Sequence, residues 1–401
     1  MAARSGVQRA AGVLGGDASA DPFEGARKAA GDLRWIDAFE ALSALDRECG
    51  LPAEDLELLA TAAFLLGRSH ECRQARLRAY QLYLHRGDAR PAARCAVRIG
   101  LEQLGSGEVA EAAGCLPVSV SACSAWATQA AALVEHEPEA PEHGYVLVPA
   151  AYERLAMTGD PEGAAEAAAQ AVVFGRRFAD ADVLAMALMV QGRALVRTAR
   201  VPEAMALLDE SVTLADADAT SPPVAGLTLS AAVDASDEAF EFSRCDEWIR
   251  TLARWCDRQG GMATFKCRSL AAQAAMQRRH GRWSAALEVA ERACEPPIAE
   301  LDPSAAAAAR YAQGEVLRLR GELQAADVAY RQAGVLGLDP QPGRRRRPAC
   351  SSPPVAGCWV TTPRRTSSTR LPTTSSPGWG PSQRSSSPGP RSGPSPARRT
   401  G

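Results

Sequence analysis

The sequence predicts an all-α protein of stacked helix pairs, and three observations predict it. A small residue recurs at Gly67, Gly107, Gly159, Ala199, Gly281 and Gly321, with gaps of 40, 52, 40, 82 and 40 residues. Five residues after these stand Cys72, Ala112, Ala164, Ala204, Ala286 and Ala326; seven before stand Ala60, Gly100, Tyr152, Gly192, Ala274 and Gly314. From Asp21 to Pro340 the apolar residues follow a helical period, and strand signals are almost absent. A fixed period of this size means supersecondary units repeated in series.

The spacing has a physical reading. A tight turn between antiparallel helices favours Gly, which carries no Cβ penalty at positive φ. Seven residues earlier is two helical turns back on the same face, so a small residue there lets the second helix of the pair approach. The small residue five positions after the turn permits the same approach from the other side.

In chain order, residues 1–20 read as a flexible N-terminal extension, and residues 21–340 as a right-handed array of about eight helix pairs. Leu56, Leu59, Ala60, Ala63 and Phe64 mark one helix face, and Leu184, Ala187 and Val190 belong to another. Breaks fall at Gly87-Asp88, Ser221-Pro222-Pro223, Gly260-Gly261 and Pro296-Pro297. Asp160-Pro161 and Asp302-Pro303 read as an N-cap followed by Pro at the first helical position. The stretch Cys115 to Cys123, with Pro117 and alternating Val and Ser, reads as an inserted loop or a broken helix. Residues 341–401 read as a disordered tail: they hold twelve Pro, twelve Ser and seven Thr, and their large aliphatics are Val355, Val360 and Leu371.

Charge divides at the same place. The formal net charge is −2, but the last 61 residues hold eleven of the 45 basic residues and none of the 47 acidic ones. The first 340 residues therefore carry 34 basic against 47 acidic groups, a net of −13. An acidic body of this kind is unsuited to coat nucleic acid itself. Lys occurs twice, at Lys28 and Lys266, against 43 Arg, the usage of a G+C-rich genome. The eleven Cys form no CxxC pair and read as reduced thiols packed as small hydrophobes. No apolar run approaches a membrane span, so a cytoplasmic location is expected, with no membrane partner.

A search for chemistry returns little. Neither Lys sits in a phosphate-binding loop, no GxSxG elbow occurs, and His70-Glu71 lacks the second His of a zinc helix. His70, His85, His136, His143 and His280 are scattered along the chain, and Asp216 and Asp218 read as linker residues. The expectation is therefore no enzyme, no catalytic residue, no metal and no cofactor. Trp248 and Trp255 share a helix face and read as packing residues. The binding candidates are Arg193, Arg197, Arg278, Tyr311 and Arg318, at first-helix positions expected to line a concave groove. Arginines there suit an acidic peptide, a protein or a small anionic effector.

The copy from Ala307 to Leu338, with Gly314, Gly321, Ala326, Tyr330, Ala333 and then Pro340, resembles the tetratricopeptide signature. Beyond the repeat, Asp37 to Ser43, Leu51 to Arg68, Gln191 to Leu195, Ala253 to Cys256, Gln313 to Glu315 and Asp339 to Gly343 resemble actinobacterial LuxR-family regulators. The resemblance covers about residues 21–343. It implies a transcription regulator whose repeat region senses a signal and whose DNA contact is made by a C-terminal helix-turn-helix. The resemblance stops at Gly343, where a run of four Arg begins, and nothing in 344–401 has the periodicity of that helix-turn-helix. Two readings of the tail stand: a frameshift near codon 343 that leaves the regulator truncated, or a genuine basic tail that touches nucleic acid through phosphates. The functional expectation is a regulatory, protein-binding sensor region; the alternative is a stand-alone scaffold or adaptor.

Overall fold

The computed structural model describes residues 21–105 and 116–336, which form seventeen α-helices and no strand. The expected N-terminal extension and C-terminal tail lie outside the described residues, as do Gly107, Ala112 and Cys115. In order the helices are α1 (Glu24–Gly31), α2 (Trp35–Cys49), α3 (Ala53–Leu65), α4 (Ser69–Arg86), α5 (Ala89–Gly105), α6 (Leu116–Val134), α7 (Pro141–Glu153), α8 (Pro161–Phe178) and α9 (Ala181–Arg197). They continue as α10 (Val201–Asp216), α11 (Pro222–Glu238), α12 (Phe242–Arg258), α13 (Lys266–Arg279), α14 (Trp283–Ala293), the single turn α15 (Ile298–Leu301), α16 (Pro303–Leu319) and α17 (Leu323–Val335). Apart from α15 they form eight antiparallel pairs, α1/α2 to α16/α17.

Each described turn within a pair holds one residue in the left-handed region. Gly67, Gly159, Gly281 and Gly321 do so, and so does Ala199 at φ 60°. The two turns that the small-residue pattern misses are Leu33 (φ 58°) and Phe240 (φ 61°). Phe240 lies 41 residues after Ala199 and 41 before Gly281, which resolves the gap of 82. The hydrogen bonding is shared. Arg34, Arg68, Arg200, Glu241, Arg282 and Glu322 each donate their amide to the carbonyl five residues back, at 2.8–3.0 Å. This closure satisfies carbonyls that a helix end otherwise leaves open. At Gly159 the amide of Asp160 reaches six back, to Arg154, because α7 continues into a π turn over Arg154–Thr158.

The small residues flanking the turns are contact points. Ala60, Cys72, Ala164, Ala204, Ala274, Ala286 and Ala326 are all buried. A Cβ on Gly192 would stand 2.7 Å from Leu208 Cγ, and one on Gly314 would stand 2.6 Å from the Tyr330 ring. Both helices start at their expected caps: Asp160 Oδ1 accepts from the Gly163 amide, and Asp302 Oδ1 from the Ala305 amide, each at 2.9 Å. Trp248 and Trp255 are buried in the packed face of α12.

The reading of Cys115 to Cys123 as a loop or broken helix is corrected: from Leu116 onward this segment is the first turns of α6. Pro117 is tolerated because it sits in the first turn, where its missing amide has no helical acceptor. Packing of α6 along α5 then overrides the weak local propensity.

First helices pack on the first helices of neighbouring pairs, whereas second helices touch mainly their own partner and the next first helix. The first helices thus form the inner layer. A long-range contact adds to this. The segment between α12 and α13 lies on the first two pairs: Ala263 N donates to Leu65 O at 2.9 Å, and Gly260 N to Leu33 O at 3.1 Å. The Thr264 hydroxyl donates to Phe64 O, and Trp35 Nε1 donates to Gln259 Oε1 at 3.0 Å. Phe265 packs edge-on to both Phe64 and Trp255, and α11 contacts α3 directly. One apolar core therefore runs through residues of α1–α5 and α9–α13.

Candidate functional site

The inner layer carries two polar stretches. The first joins pairs two to five and is an ion network. Arg76 of α4 is fully buried, with its guanidinium 2.6 Å from Glu102 Oε1 of α5 and 3.7 Å from Glu57 Oε2 of α3. Glu57 also accepts from the Tyr83 hydroxyl at 2.9 Å and faces Arg98 at 3.7 Å. Arg98 reaches Asp182 of α9 at 3.3 Å, and Asp182 accepts from both the amide and the hydroxyl of Ser221 at 2.6 Å. Cys72 and Cys95 are buried beside this network. Burial, with Glu57 adding to it, pushes the Cys95 thiol up to about 12. Burial and Glu102 push Cys72 up as well, so both remain protonated thiols and poor nucleophiles at neutral pH. The network ties pairs two to five together, although the buried Arg76 Nε has no hydrogen-bond partner.

Sequence reasoning missed this stretch, though it left a signal. Counting from each turn residue, the position of Arg76 is taken by buried Leu42, Ala168, Leu208, Ile249 and Ala290 in five other pairs, and by the partly buried Tyr330 in the last. A charge in an apolar column of the repeat marks a buried ion site. Read as one amphipathic helix, α4 hides it.

The second stretch holds the five candidates, all on first helices. Arg193 and Arg197 project from α9, Arg278 from α13, and Tyr311 and Arg318 from α16. They form two groups. The Arg193 guanidinium lies 5.8 Å from the centre of the Tyr152 ring; burial opposes its charge, and Tyr152, Asp234 and Glu238 favour it, with a net upward shift. Arg197 Nε is 2.6 Å from Glu238 Oε1. In the other group, Glu315 accepts from Tyr330 at 2.6 Å and from Arg318 at 3.1 Å. Burial works to raise the Glu315 carboxyl, but Tyr330, Arg318 and the Arg278 charge outweigh it and hold it below the ordinary range. The Tyr311 and Tyr330 rings pack tilted at 48°, with centres 5.6 Å apart. Between the groups Arg268 binds Asp302 at 3.0 Å and faces Asp234 at 3.9 Å.

The carboxylates are the feature that counting arginines overlooked. Along α9, α11, α13 and α16 the inner surface alternates in sign, Arg193 and Arg197 against Asp234 and Glu238, then Arg268 against Asp234 and Asp302, and Arg278 against Glu315. Arg197, Arg268 and Arg318 are only partly buried, so the surface is open to a partner. Among the described residues no group of three or more metal-ligating side chains converges, and no helix is long and apolar enough to cross a membrane. No family model matches the chain, and no curated protein is significantly similar to it.

Proposed function

We propose that this chain is a non-enzymatic protein-interaction module, the signal-sensing tetratricopeptide-like repeat region of a LuxR-type regulator, working in the cytoplasm. The observation that supports it is the alternating charge on the inner layer of the last four pairs, presented by a scaffold tied together elsewhere by buried ions. Its partner is a protein or peptide segment that carries both signs, with acidic groups for Arg197 and Arg318 and basic ones for Glu238 and Glu315. Any specific DNA contact belongs to a helix-turn-helix separate from this array. The test is cross-linking of the full chain to partners captured from its own host, followed by R197E and R318E. The reading expects each variant to weaken capture at least tenfold with helicity unchanged. Equal capture by wild type and both variants rejects it. Translating the downstream DNA in its other frames separates the regulator from a stand-alone adaptor.

A further inference from the structure

The outer face of the last helix carries two exposed valines where most other described second helices carry polar residues; α8 departs once, at Val173, 63% exposed. Seven and fourteen residues after the turn, α4 carries Gln74 and Gln81, and α12 carries Glu247 and Arg254. In α17 these positions are Val328 and Val335, 53% and 88% exposed. Leu323, at the start of the same helix and about 120° around it from Val335, is 65% exposed. A cavity of about 490 Å³ opens beside Val328 and Val335, lined also by Arg310, Arg331, Gln332 and Leu336. Apolar side chains exposed together mark an interaction surface more often than an accident of composition.

The charges on this face say what fits it. Asp327 and Arg331 stand two residues to either side of Ala329, and Leu323 and Val335 six to either side. These four positions, spaced four residues apart, are therefore palindromic in size and inverted in charge, and within one helix Asp327 and Arg331 pair with each other. An antiparallel copy of the same helix, related by a two-fold axis at Ala329, sets Leu323 against Val335 of the second copy. It also sets Asp327 against Arg331 of the second copy, twice over by symmetry. Isologous pairing of this kind is the commonest form of self-association. The chain's own tail is a poor occupant: residues 337–401 contain eleven Arg and a single acid, Asp339, and would meet Arg310 and Arg331.

We infer that α17 is a homodimerisation helix and that its occupant is α17 of a second copy of this chain. One helix of thirteen residues against its copy buries less than a standard interface, so the dimer is weak and reversible, in the micromolar range. The experiment is sedimentation velocity of the full chain from 1 to 200 μM (about two decades around that range). Wild type should pass from monomer to dimer with rising concentration, and V335E should stay monomeric with an unchanged circular dichroism spectrum. The charge test does not depend on apolar contacts. D327R and R331D should each lose dimerisation at least tenfold, because each places two like charges opposite two like charges. Mixed together they should form a heterodimer. A wild type that is monomeric throughout, a dimer insensitive to V335E, a mixture that stays monomeric, or irreversible aggregates in place of a dimer would each overturn the assignment.

Discussion

Arg76 and Glu102 pair at 2.6 Å with the guanidinium wholly removed from solvent, where the same column of other pairs holds Leu42 or Leu208. A buried charge is tolerable only while its partners are present. Arg76→Ala should therefore cost about 3–5 kcal/mol, because Glu102 would lose its cation and Glu57 would keep only Arg98, at 3.7 Å. Adding Glu102→Gln should recover part of that loss. Urea unfolding of the single and double variants measures both; equal midpoints for Arg76→Ala and wild type would show the network to be structurally idle.

The turn at Phe240 is strained relative to its neighbours. Phe240 holds φ 61° with its ring half-exposed, in contact with Phe242 at 6.0 Å. A left-handed residue with a Cβ costs about 1–2 kcal/mol, and the extra unfolded freedom of Gly returns part of it. Phe240→Gly should raise stability by about 0.5 kcal/mol, while Gly281→Ala should lower it by about 1 kcal/mol. Chemical denaturation of the two variants gives opposite shifts if this is right.

The contact between the α12–α13 segment and the first two pairs rests on few groups. Thr264→Val removes the hydroxyl that donates to Phe64 O, and Gln259→Leu removes the acceptor of Trp35 Nε1. Each should cost about 0.5–1.5 kcal/mol. The local effect should be larger than the global one. Hydrogen exchange at the amides of Gly260 and Ala263, which donate to Leu33 and Leu65, should speed up in both variants.

The acid limb of stability should depend on Asp302. Burial works to raise its carboxyl, but Arg268, the Ser304 hydroxyl and the Ala305 amide outweigh it and hold it below the ordinary aspartate range. A carboxyl depressed on folding contributes stability that is complete above the unfolded value, about 3.9, and is lost as pH falls through the lower folded value. Asp302→Asn keeps a helix cap and removes that titration. The variant should be less stable than wild type at pH 7, with the difference shrinking below about pH 4. Thermal melts from pH 7 to pH 2.5 follow it (about one and a half units below the free carboxyl).

Much of the architecture was local and therefore legible. The helix period, the small residues around each turn and the caps at Asp160 and Asp302 are set by neighbours within a few residues, and each of these reappears in the structure. Leu33 and Phe240 escaped because a turn tolerates a poor residue when the helices on either side hold it, so the small-residue signal vanished while the geometry persisted. The start of α6 escaped for the same reason, packing having overruled propensity at Pro117.

What the sequence by itself determined is an all-α array of eight helix pairs and the placing of Arg193, Arg197, Arg278, Tyr311 and Arg318 on first helices. What only the tertiary structure decided is which charges meet. Arg76 finds Glu57 and Glu102, Arg98 finds Asp182, and Thr264 finds a carbonyl 200 residues away, at Phe64. Such pairings depend on how successive pairs rotate about one another. That rotation is a sum of small packing differences, and no single stretch of chain encodes it.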